Sequence, residues 1–101
     1  MRFILKFSFP NESGNENLRD PEFGAKLQRL ISEMNAEAAY FCPVNGRRGG
    51  YIVVNLDDAS KIAGFAEPLF FWLKAEVEYI PVMLAEDLAK ADIEGAVKKW
   101  G

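Results

Sequence analysis

From Arg2 to Phe9 the residues alternate, with Phe3, Leu5, Phe7 and Phe9 on one side and Arg2, Ile4, Lys6 and Ser8 on the other. A period of two predicts a strand with one strongly buried face and one mixed face. The next stretch, "PNESGNENLRD", is polar, rich in Asn and without a period, and predicts a loop. Asp20 before Pro21 is a helix-start signal, because the carboxylate can accept orphan amides and proline's preset φ suits the first helical position. Phe23, Leu27, Leu30, Ile31 and Met34 then fall on one stripe, predicting a first helix packed on the sheet.

"EAAYFCPV" predicts a second strand whose register is open, so that Tyr40 and Phe41 can exchange faces. "YIVVNL", β-branched and apolar on both sides, predicts a third and central strand. Between them "NGRRGG" predicts a hairpin, with glycines for the turn conformations and Arg47 and Arg48 at its tip. Asp57 or Asp58 caps a second helix with Ile62, Phe65, Ala66, Leu69 and Leu73 inward, and Pro68 predicts a kink or restart near residue 67. "EVEYIPVM" predicts a fourth strand, placed at an edge or ending at Pro81, which cannot donate to a ladder. The tail "LAEDLAKADIEGAVKKWG" predicts one weakly amphipathic helix suited to packing on a partner.

The expected architecture is α+β: a single ferredoxin-like βαββαβ domain over residues 1–101, with a four-stranded antiparallel sheet, helices on one face and an extra C-terminal helix. The other sheet face would stay bare. Arg2, Ile4, Lys6 and Ser8, with Glu78, Ile80 and Val82, make it too apolar for water and too polar for a sealed core. Two copies packed sheet to sheet would cover it and leave a partly polar cleft, so a homodimer through this face is expected.

Composition supports one folded domain: 101 residues, 50% hydrophobic and 13% aromatic. A chain this short buries about 60 to 70% of its unfolded surface, which also favours pairing. The net charge of -3 and 12 scattered basic residues argue against nucleic acid as a partner. No run approaches the ~18 apolar residues of a membrane span. The N-terminal "MRFILKFSFP" has its apolar run broken by Lys6 and no small-residue cleavage site, so a cytoplasmic protein is expected. Cys42 is the one cysteine and reads as a small buried hydrophobe, since no histidine is present to activate it.

The candidate site residues follow from the bare face. Lys6, in mid-strand, is either a pocket cation or the cross-strand partner of Glu78. Tyr40 and Tyr51 offer hydroxyls and Asn55 an amide; Phe70-Phe71-Trp72 cannot all face one side of a helix, so a ring such as Trp72 is a pocket wall, a dimer contact or simply exposed. Arg47 and Arg48 are either rim contacts for an anion or solvated charge. The glycines match neither a P-loop nor a dinucleotide fingerprint. No metal site and no cofactor is expected: there is no histidine, and the carboxylates are scattered.

Residues 46–91 carry Arg48-Gly49, the strand Tyr51 to Asn55, Asp57-Asp58, the aromatic run Phe70 to Trp72, and Pro81-Val82 ahead of Glu86-Asp87. In this order of elements the chain resembles a family of short, functionally uncharacterised bacterial proteins of the dimeric α/β-barrel superfamily. That superfamily includes muconolactone-isomerase-like enzymes, cofactor-free monooxygenases, haem-degrading enzymes and stress-responsive barrels. The resemblance implies the fold and the dimer more than an activity. The chain departs from it at Asn55, where an acidic residue is expected, and its lack of histidine excludes the His-dependent haem and His/Asp dyad chemistries.

Two functions are therefore expected as alternatives. One is a homodimeric module that binds a small molecule in a cleft on the open sheet face. The other is a cofactor-independent isomerase or monooxygenase for a small aromatic or lactone-like substrate, with Lys6, Tyr51, Asn55 and Glu78 converging. An interaction role through the terminal helix and Trp100 is a third.

Overall fold

The computed structural model describes all 101 residues. The chain runs β1 (Arg2–Ser8), α1 (Asn11–Arg19), α2 (Phe23–Glu33), β2 (Ala38–Val44), β3 (Arg47–Asn55), α3 (Ser60–Leu73), β4 (Glu76–Pro81), α4 (Ala85–Lys90) and α5 (Ile93–Trp100). It is an α+β fold whose antiparallel sheet has the order β2-β3-β1-β4.

Alternation in β1 places Leu5 and Phe7 in the core, where they meet Ile52 and Val54 of β3 and Leu30, Met34, Leu69 and Leu73 of the helices. β4 pairs with β1 alone, so it is an edge strand, and Pro81 is its last residue. Both positions spare a proline without an amide proton from having to donate. On the helix side, Tyr79 sets its ring edge-on to Phe3 with centroids 5.9 Å apart and donates its hydroxyl to the Ile62 carbonyl at 2.9 Å.

The stretch expected to be a loop is the helix α1. Asn, Ser and Gly are poor interior helix formers, and no apolar stripe marks the segment. Tertiary contacts impose it. Gly14 is buried so closely that a Cβ there would lie 3.0 Å from the Phe9 ring and 3.1 Å from the Arg48 guanidinium. Asn11 ties the helix to the hairpin, accepting from the Arg48 amide at 3.3 Å and donating to the Gly46 carbonyl at 3.3 Å.

Other boundaries also move. α2 begins at Phe23, because Asp20 uses its carboxylate in a local turn to the Glu22 amide at 2.9 Å. The hairpin turn is Asn45-Gly46, both with positive φ, so Arg47 and Arg48 are the first residues of β3 and not its tip. Neither Asp57 nor Asp58 occupies the N-cap of α3, which is Ala59 and has no side-chain cap; Asp58 accepts the Ser60 amide at 2.8 Å in a local turn just ahead of the helix. α3 does not restart at Pro68: it runs unbroken, with Gly64 and Pro68 on its exposed side, where water can take the carbonyl that proline leaves free. Lys74 ends it in the left-handed region, with its amide on the Phe70 carbonyl.

The tail forms two short helices instead of one. Asp87 caps α4 through the Leu84 amide and Asp92 caps α5 through the Gly95 amide, each at 2.9 Å. Neither helix buries a residue. The molecule is 58 Å long with a radius of gyration of 17.0 Å, against about 13 Å for a compact chain of this size. The excess is the projecting arm. No helix is long and apolar enough to cross a membrane.

Two outcomes test this account. Gly14→Leu should cost about 1–3 kcal/mol by overpacking, whereas Gly24→Ala, with open space at its Cβ, should be neutral or stabilise by up to about 1 kcal/mol, both read by urea unfolding. Burial pushes the Tyr79 phenol up to about 12 from 10.0. The folded state then holds a proton that the unfolded chain has lost, so this contribution to stability is complete below pH 10.0 and declines as pH rises towards about 12. Tyr79→Phe should remove that decline.

Candidate functional site

The face away from α2 and α3 is built by pairing. Tyr40 lies opposite Tyr51, Tyr51 opposite Lys6, and Lys6 opposite Glu78. One polar row thus crosses all four strands, about 14 Å from end to end at three strand spacings. Lys6 Nζ lies 3.7 Å from Glu78 Oε2, with Lys6 half-buried and Glu78 exposed. The expected cross-strand pair is present, and its lysine remains the most enclosed charge on the face.

The rows on either side differ in character. Ala38, Val53, Ile4 and Ile80 make an apolar row, all half-buried. On the other side Cys42, Gly49, Ser8 and Glu76 make a row of mostly small residues. Cys42 is half-buried on this open face and not in the core, which corrects the expectation of a buried hydrophobe. A recess of about 180 Å³ forms at this end, between Lys6, Ser8, Asn45, Glu76 and Glu78.

Two expected site residues do not join the row. Asn55 pairs with Arg2, four residues along β3 from Tyr51, a separation of about 13 Å. Its amide oxygen instead accepts the N-terminal ammonium at 2.7 Å. Trp72 lies in the helix layer, tilted against Phe23 at 5.2 Å. At the far end Arg2 forks onto Glu37 at 2.9 and 3.2 Å, and that hydrogen bond raises the guanidinium pKa. Register decides the placements on the strands, since a shift of one residue would send each of those side chains to the opposite face.

A larger cavity lies mainly on the helix side of the sheet and was not foreseen from the sequence. It occupies about 720 Å³ beside α1 and α2, with Phe9, Phe23, Leu27 and Phe41 among its walls and Arg47 and Arg48 beside them. The legible signal was the glycine-rich stretch itself: Gly46 and Gly49 line the cavity and contribute no side chain to it. No group of three or more His, Cys, Asp or Glu side chains converges to hold a metal.

Chemically, the open face offers one ammonium, one carboxylate and two phenols in line, bordered by an apolar strip. It can orient a small polar group over a hydrophobic surface. No protein-family model matches the chain, and no curated protein is similar to it in sequence.

If the Lys6–Glu78 pair serves a ligand more than the fold, Lys6→Met should change stability by less than about 1 kcal/mol, as for other partly exposed pairs. Equilibrium denaturation with unaltered circular dichroism checks this.

Proposed function

We propose that the chain is a homodimeric module of ferredoxin-like, dimeric α/β-barrel type that binds a small molecule in a cleft between two open sheet faces. The observation that carries this reading is the row Tyr40, Tyr51, Lys6, Glu78, set beside the half-buried apolar row on a face that no helix of the same chain covers. A twofold interface of this kind would bury the Ile4, Val53 and Ile80 strip and bring two polar rows into one enclosed space.

The strand order β2-β3-β1-β4 supports the ferredoxin-like part of this reading. The projecting arm supports pairing as well: Leu84, Leu88, Ile93, Val97 and Trp100 are all exposed, Trp100 at 83%. Apolar residues in such numbers outside the body suit a partner chain, and residues of the arm can add to the same twofold contact.

The alternative, a cofactor-independent isomerase or monooxygenase, requires Lys6, Asn55 and a tyrosine to reach one point. Asn55 stands about 13 Å along β3 from Tyr51 and is occupied by the N-terminal ammonium. That separation favours binding over catalysis.

Sedimentation of the full chain at micromolar concentration should give a dimer, and Ile4→Asp should give a folded monomer. A wild-type monomer overturns the reading. A thermal-shift screen of small polar aromatics should raise the melting temperature of the wild type and not of Lys6→Met.

A further inference from the structure

The cavity beside α1 and α2 opens mainly on the helix side, at the hairpin end of β2 and β3, away from the Lys6 row, and shares only its edge, Cys42, Arg47 and Gly49, with the open face. Its origin is structural. Gly46 and Gly49 line it without side chains, Gly14 lets α1 sit directly on Phe9, and the space between them is about 720 Å³. This lies within the range of about 300–1,000 Å³ usual for small-molecule sites.

Its charge is unlike that of the rest of the chain. The protein is acidic overall, net -3 with 15 Asp and Glu, yet no Asp or Glu lines this cavity, while Arg47 and Arg48 both do. Neither arginine forms an ion pair. Arg48 is half-buried, and its guanidinium makes one hydrogen bond, to the Asn11 carbonyl at 3.2 Å. A guanidinium carries five N–H donors, so most remain free for an anion. Phe41 and Leu18, on the walls, are about half exposed, at 53% and 50%.

We infer that this cavity binds a small apolar molecule bearing one anionic group, of the aromatic or aliphatic carboxylate class. The apolar body sits between Phe9, Phe23, Leu27 and Phe41, and the anion meets Arg47 and Arg48. A neutral apolar ligand would leave both guanidiniums unpaired, and a bare inorganic anion would leave Phe41 and Leu18 in water. Only the combined chemistry answers both features.

The test uses two fluorescent probes of similar shape on the full-length protein: anilinonaphthalene sulfonate, an apolar anion, and phenylnaphthylamine, its neutral counterpart. The anionic dye should bind saturably and roughly tenfold or more tighter than the neutral one, as expected for a charge-assisted hydrogen bond. The double variant Arg47→Met, Arg48→Met should abolish that preference while keeping the neutral dye. Leu27→Trp, which fills the cavity, should remove both. Near-ultraviolet circular dichroism confirms folding; should the double variant unfold, Arg47→Met in an Arg48→Lys background must still reduce the preference.

Equal affinity for the two dyes overturns the proposal, as does an unchanged preference in the folded arginine variants. Loss of dye binding in Lys6→Met but not in Leu27→Trp would move the site to the open face and also overturn it. Binding that appears only after removal of residues 84–101 would make the arm the occupant of the cavity, with the same consequence. Oligomeric state, measured separately, leaves each of these outcomes unaffected.

Discussion

Asn45 and Gly46 both hold positive φ, at 52° and 77°, in a two-residue turn between β2 and β3. A turn of that kind leaves antiparallel strands one way to pair, and the pairing it sets is Val44 with Arg47, Tyr40 with Tyr51 and Ala39 with Ile52. Because β3 then pairs with β1, and β1 with β4, a single register runs across the sheet. Every residue assigned to the open face or to the helix side depends on it. The period of a strand is two, so a slip of one position would carry Tyr40 into the helix layer and Phe41 onto the open face.

Glycine placement governs the spaces around this sheet. At Gly49 and Gly50 a Cβ would meet the Phe7 and Tyr40 carbonyl oxygens, so the backbone approach itself excludes side chains there. On the open face this leaves the small-residue row beside Lys6, and Gly49 also lines the larger cavity without a side chain. Gly14 has the complementary role of bringing α1 close enough to form a wall.

The arm adds a different constraint. Its helices are capped by Asp87 and Asp92 and are locally well formed, yet they bury nothing. Helices of six and eight residues gain little from local hydrogen bonds alone, so their apolar residues need a surface that the body of one chain does not present to them.

Where periodicity and local chemistry carry strong signals, the sequence alone determined the structure: the buried face of β1, the inward stripe of α2 and the ending of β4 at Pro81. These depend on neighbours within a few residues or on a two-residue period, both of which are visible in the chain. It could not determine α1, because a helix of Asn, Ser, Glu and Gly exists through its contacts with Phe9, Gly46 and Arg48, more than 30 residues apart in the last two cases. Nor could it separate Asn55 and Trp72 from the polar row, or place Arg47 and Arg48 beside a cavity instead of at a hairpin tip. Those are questions of register and of distance across the sheet. They are decided only when long-range pairing sets which residues stand opposite one another.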